Sequence, residues 1–68
     1  MATLRGLRAA AGLTQEQLAA KMLVPAARVA AWEAGRLTPM RLHVGLLALA
    51  LGVARREVQA ALDGMSEG

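Results

Sequence analysis

Cysteine is absent from this 68-residue chain, so neither a disulfide nor a thiolate metal site can form. With His43 as the one histidine, a histidine metal cluster is excluded as well. Phenylalanine, tyrosine, isoleucine and asparagine are also missing, and Trp32 is the one aromatic residue. No run of alternating β-branched and aromatic residues suggests a strand. No internal repeat or linker composition appears. The longest apolar stretch, Leu42 to Val53, contains His43 and two glycines and is too short for the ~20 residues that cross a bilayer. Arg5 and Arg8 break up the N-terminal region, so it lacks a signal-peptide pattern. These absences leave a soluble, cytoplasmic protein as the expectation.

Catalytic groups are equally scarce. There is no cysteine nucleophile and no histidine–carboxylate arrangement, and Ser66 falls in a tail, residues 65–68, expected to be mobile. His43 stands among leucines, as structural or surface histidines do. Neither an enzyme nor a cofactor is expected.

What is present is alanine, leucine and arginine, all strong helix formers. Start and stop signals bracket five helices in one small domain, residues 1–68. The first follows Thr3, runs from Leu4 to Ala11 and ends at Gly12, with Leu13 folding back as the apolar partner of that cap. The second begins with a capping box, Thr14 with Gln17, and ends near Met22. The third starts at Pro25 or Ala26 and stops at Gly35. Thr38-Pro39 starts the fourth, which ends at Gly52. The fifth runs from about Arg55 to Leu62 and stops at Gly64. The periodicity puts Leu4, Leu7, Leu13, Leu18, Met22, Val24, Val29 and Trp32 in the core, followed by Leu42, Leu46, Leu47, Leu49, Leu51, Val53, Val58 and Leu62. Val58, Ala61, Leu62 and Met65 form one stripe on the fifth helix. Its first members suit the protein's own core, and Met65, with part of helix 4, suits a two-fold contact.

The most informative stretch is Thr14 to Gly35. Leu18, Ala19 and Met22 share a face of one helix, Val29 and Trp32 share a face of the next, and Val24 plugs the turn. The small Ala19 allows two helices to cross closely. This is the layout of a helix-turn-helix at 14–35, whose second helix can enter a DNA major groove. The net charge of +3 is uneven: +4 up to Arg41 and −1 beyond it, so the positive charge lies with the helix-turn-helix.

The segments LRGLRAAAGLTQEQLAAKM, WEAGRLTP and LLALALGV, with the spacing of Gln15, Ala19, Val29, Trp32-Glu33 and Gly35, resemble the Cro/C1-type, or XRE-type, helix-turn-helix family of bacterial and phage repressors. The resemblance runs from Leu4 to about Leu62. It implies an all-α, compact five-helix, lambda-repressor-like domain that binds double-stranded operator DNA, usually as a homodimer. It places Gln15 at a phosphate, Ala26, Ala27, Arg28, Ala30 and Ala31 on the exposed face of the recognition helix, and Arg36 and Arg41 along the phosphate backbone. Arg8 and Glu33 match a partly buried ion pair between the first and third helices.

The chain departs from that family's pattern in three ways. Leu23 stands where the turn usually has glycine, so either Leu23 takes a positive φ or the turn has changed. Pro25 replaces the usual Ser or Thr cap. Ala26, Ala27 and Ala31 replace the polar residues that commonly read bases, which leaves contact with thymine methyls. Arg28 then has two alternatives, a bidentate contact with guanine or a phosphate contact without sequence reading. The expected function is a DNA-binding transcriptional regulator with modest base readout, nucleoid-associated when bound. The alternative is an interaction module of the same fold whose smooth alanine face packs on another helix. No effector-binding site is evident in the sequence.

Overall fold

The computed structural model describes the backbone of residues 3–66 and the side chains of residues 3–64. Five helices follow in order: α1 Leu4–Ala10, α2 Gln15–Met22, α3 Ala26–Glu33, α4 Arg41–Leu51 and α5 Arg55–Ser66. No strand occurs among the described residues. The helices pack α2 on α3, α2 on α4, α4 on α5, and α1 on both α3 and α5.

The helix starts follow from the side chains in front of them. The Thr3 hydroxyl accepts from the Gly6 N–H at 3.0 Å and opens α1. At α2 the capping box is complete: the Gln17 N–H donates to the Thr14 hydroxyl, and the Thr14 N–H donates to the Gln17 side-chain oxygen. Two of the donors at the start of α2, the Thr14 and Gln17 N–H groups, are thereby satisfied, and those of Gln15 and Glu16 are not part of the box. Pro25 caps α3 without a side-chain hydrogen bond, as its lack of a polar group dictates.

The helix ends share one device. Gly12, Leu23, Gly35 and Gly52 all adopt left-handed φ, at 74°, 58°, 76° and 72°. After α1 the N–H of Gly12 reaches Ala9 and that of Leu13 reaches Arg8. After α3 the N–H of Gly35 reaches Trp32 and that of Arg36 reaches Ala31. Each pair satisfies two terminal carbonyls and turns the chain back on its helix. Leu23 resolves the open question about the α2–α3 turn: the turn keeps its shape and a leucine occupies the glycine-type position, with its side chain 92% exposed.

Two boundaries differ from expectation. Helix α4 begins at Arg41 rather than at Thr38-Pro39, because Pro39 is buried in the connecting loop and Met40 takes the N-cap place. Helix α5 passes through Gly64 and continues to Ser66. The expected end of α5 near Leu62 is thus corrected, and the expectation of a mobile tail concerns residues 65–68, of which 67 and 68 and the side chains of 65 and 66 lie outside the described residues.

The core gathers Leu4, Leu18, Met22, Val29, Trp32, Leu47, Leu51, Val58 and Leu62, as the periodicity indicates. Leu7, Leu13, Val24 and Val53 pack against it while partly buried. On α4 the expectation holds for Leu47 and Leu51 and fails for Leu42, Leu46 and Leu49, which are exposed, with Val44 and Ala48 facing inward in their place. The sequence RLHVGLLALAL is apolar around its whole circumference, so periodicity alone does not pick its inner face. On α5, Val58, Ala61 and Leu62 are buried in the protein's own core, as expected, whereas the Met65 side chain lies outside those described. No described helix is long and apolar enough to cross a membrane.

Candidate nucleic-acid interface

Helices α2 and α3 form a helix-turn-helix. Ala19 is 3% exposed at their crossing, where its small size permits close approach. Val24 fills the angle between them, partly buried against the core. Val29 and Trp32 anchor α3 from below, at 0% and 2% exposure. The Trp32 ring also meets the His43 ring, with centroids 5.3 Å apart and planes tilted by 47°, so α4 helps to hold α3 in place.

With that face inward, α3 turns Ala27 and Arg28 outward, while Ala26 and Ala30 are half-buried. Ala31, expected on the outer face, is buried. The chain turns back beside it at the end of α3. The N–H groups of Arg36 and Leu37 both reach back to the Ala31 carbonyl, at 2.9 and 3.4 Å, and the returning chain covers that position. Ala31 is therefore a packing residue. Arg36 and Arg41 are exposed at either end of the α3–α4 loop. Arg28 borders a shallow depression of about 150 Å³ with Trp32, Leu37, Thr38, Met40 and His43.

Beside α3 an open cleft of about 480 Å³ is lined by Arg5, Arg8, Gln15, Ala30, Glu33 and Ala34. Here the ion pair suggested by the sequence is formed. Arg8 Nε donates to Glu33 Oε2 at 2.5 Å and Nη2 donates to Oε1 at 3.2 Å. Arg8 Nη1 also donates to the Leu13 carbonyl at 2.9 Å, which ties the α1–α2 loop to the pair. Gln15 Nε2 donates to Glu33 Oε1 at 2.9 Å. The first residue of α2 is thereby locked to the last residue of α3.

Burial pushes the Glu33 carboxyl up, but the hydrogen bonds from Arg8 and Gln15 and the charges of Arg8 and Arg5 outweigh it and hold the carboxyl below its ordinary value. The bond to Glu33 raises the Arg8 guanidinium above its ordinary value, against a smaller loss from burial. Both groups stay ionised at neutral pH. No buried side-chain nitrogen or oxygen among the described residues lacks a partner.

Arg5 is the residue that sequence reasoning passed over. It lies one turn before Arg8 on α1, exposed, at the mouth of the cleft. The signal was its i, i+3 spacing to Arg8, a residue already assigned to α3 through Glu33. Gln15, Ala30 and Arg5 share this cleft, whereas Arg28 borders the separate depression toward the α3–α4 loop.

The fold and this surface are those of a helix-turn-helix protein. The family model described as helix-turn-helix matches residues 4–58, and the chain belongs to the Cro/C1-type, or XRE, family of DNA-binding transcription regulators. Neither a curated protein nor a solved structure matches it.

Proposed function

We propose that this regulator lays α3 in the major groove of duplex DNA, binds as a homodimer, and reads bases sparingly. The observation that carries the reading is the composition of the outer face of α3. Arg28 is its one long polar side chain, set beside the exposed methyl group of Ala27, with Ala26 half-buried against the core at the helix start. Arg28 is then the one residue of this helix suited to a bidentate guanine contact, which discriminates by ~1–3 kcal/mol. Ala26 and Ala27 offer contact with thymine methyls.

Arg36 and Arg41 serve as phosphate contacts on one side of α3. Gln15 does so on the other, where the α2 N-terminus presents free N–H groups and the positive end of its dipole. Arg5 adds a further cation there. Specificity beyond Arg28 comes from DNA shape and from half-site spacing in the dimer. The protein works in the cytoplasm, on the nucleoid. Catalysis plays no part in this role.

Selection of bound duplexes from a random pool at low salt tests the reading. An enriched two-fold motif with a guanine in each half-site supports it. Binding without enrichment reduces Arg28 to a phosphate contact. Failure to bind any duplex overturns the reading in favour of a protein-interaction module, to which the alanine face would then belong.

A further inference from the structure

The α3–α4 loop holds two large apolar side chains out in solvent, between two arginines. Leu37 is 53% exposed and Met40 is 64% exposed. Arg36 precedes the first, Arg41 follows the second, and both are exposed. Leu37 and Met40 also border the depression of about 150 Å³ that they share with Arg28, Thr38 and His43. Single exposed apolar residues are ordinary, but these two stand together on the surface already read as facing DNA.

The loop is pinned beneath them. The N–H groups of Arg36 and Leu37 donate to the Ala31 carbonyl at 2.9 and 3.4 Å, and Pro39 is buried. Met40 then takes the N-cap place of α4, where its side chain makes no capping hydrogen bond. Folding alone favours Ser, Thr, Asp or Asn at such a place. A methionine there forfeits a cap and gains the helix nothing, so its use lies outside the fold.

We propose that Leu37 and Met40 pack on the deoxyribose rings of the strand whose phosphates Arg36 and Arg41 hold. The inference rests on the DNA-binding reading above and gives the loop a second kind of contact, apolar rather than ionic.

Two observations select this occupant. The first is the charge around the pair. Arg28, Arg36 and Arg41 surround it, no acidic residue borders the depression, and none of the three arginines forms a salt bridge among the described residues. A matching partner brings anionic groups with apolar carbon between them. A DNA strand does so, because phosphates alternate with rings that carry C–H where ribose has its 2′-hydroxyl. An apolar protein helix laid here would leave the guanidiniums unmatched.

The second is continuity with α3. Arg28, on the outer face of that helix, borders the same depression as Leu37 and Met40. With α3 in the major groove, the chain leaving it meets the groove wall, which is sugar and phosphate. A contact there is blind to sequence. It is also blind to salt, because burying apolar surface releases no counterion.

Methionine makes the test direct, since the chain has four and Met40 is the one in this loop. The methionine methyl groups are isotope-labelled, and Met40→Leu identifies the Met40 signal by its disappearance. On a duplex selected from a random pool, the expected result is nuclear Overhauser contacts from the Met40 methyl to deoxyribose protons, and none from the buried Met22. The variant Leu37→Ala/Met40→Ala is expected to keep its helical circular dichroism. It should bind the selected and a scrambled duplex at least about ten-fold more weakly, with the salt slope unchanged. Met40→Leu, which keeps the apolar contact, should bind as the wild type does. A loss below about two-fold for the double variant overturns the proposal and leaves the DNA reading standing. So do contacts from Met40 to base protons alone, or a salt slope that flattens with the double substitution. If the wild type binds no duplex, the DNA reading itself fails and the proposal falls with it, which assigns Leu37 and Met40 to a protein partner.

Discussion

Arg8 on α1 and Glu33 at the end of α3 lie 25 residues apart in sequence and meet through two hydrogen bonds, at 2.5 and 3.2 Å. Their side chains are 14% and 6% exposed, so the pair is largely shielded from water. Because Glu33 also accepts from Gln15, one carboxylate fixes α1, α2 and α3 relative to one another. The outer face of α3 owes its orientation to this junction as well as to Val29 and Trp32 beneath it.

Removing one partner of the junction strands the other charge in a poorly hydrated place. Arg8→Ala is expected to cost roughly 3 kcal/mol, as breaking a shielded pair does. Replacing both partners, Arg8→Met with Glu33→Leu, should recover more than half of that loss, because no charge is then left unpaired. Urea denaturation of the three proteins measures both effects. A single-variant loss below about 0.5 kcal/mol would place the pair among surface ion pairs of little consequence.

The same carboxylate sets a pH dependence. Glu33 is held below its ordinary value in the folded protein, so the unfolded chain binds its proton first as the solution is acidified. The stability it contributes is complete above the ordinary carboxylate range, about pH 4–5, and drains away as the pH falls through the lower folded value. Glu33→Gln should be less stable at pH 7 and should lose less on acidification than the wild type. Thermal melts at pH 7, 4 and 3 for both proteins check this. Parallel losses in the two would remove Glu33 as the cause.

Leu23 adopts φ 58° with its side chain 92% exposed, so it bears backbone strain without compensating packing. A left-handed L-residue costs roughly 1–2 kcal/mol, and glycine's greater freedom in the unfolded chain returns about 0.4–1 kcal/mol of that. Leu23→Gly is therefore expected to stabilise by about 0.5–1 kcal/mol, visible as a higher urea midpoint. Gly35→Ala, at φ 76° with open space around it, should destabilise by about 1 kcal/mol. A leucine that resists replacement by glycine would have a contact partner outside this chain.

On DNA the arginines should separate by their salt dependence. If Arg5, Arg36 and Arg41 of each protomer neutralise six phosphates in a dimer, the log–log slope against salt is roughly −5. Arg36→Ala in both protomers should weaken binding to all sequences alike and flatten the slope by about 2. Arg28→Ala should instead relax the choice of base at one position per half-site if the residue reads guanine. Fluorescence anisotropy between 50 and 300 mM salt, on the selected duplex and on a scrambled one, gives the answer. An unchanged slope for Arg36→Ala would exclude that residue from the phosphate contacts.

Most of this architecture was legible in the residues because it rests on local rules. The Thr14–Gln17 box, the glycines after α1, α3 and α4, and the Val29–Trp32 pair each constrain their own few residues, and each element formed where they indicate. The Arg8–Glu33 pair was legible by resemblance, since nothing local links residues so far apart. What stayed hidden depends on three-dimensional closure. A helix as apolar as α4 gives no angular signal, so Val44 and Ala48 lay concealed behind Leu42 and Leu49. The burial of Ala31 arises from the chain folding back beyond Gly35, which a view of α3 by itself does not include. Arg5 escaped notice because its place depends on how α1 crosses α3.

The outer face of α3 also bears on how such a chain diversifies. Its framework is secured from below by Val29 and Trp32, at its end by the cap over Ala31, and from the side by Arg8 and Gln15 through Glu33. Ala27 and Arg28, on its outward side, take no part in that framework. Substitutions there by other helix-forming residues leave that framework's contacts in place, so the surface is open to change. A protein arranged this way separates what keeps it folded from what it recognises, and a new binding preference is one or two codon changes away.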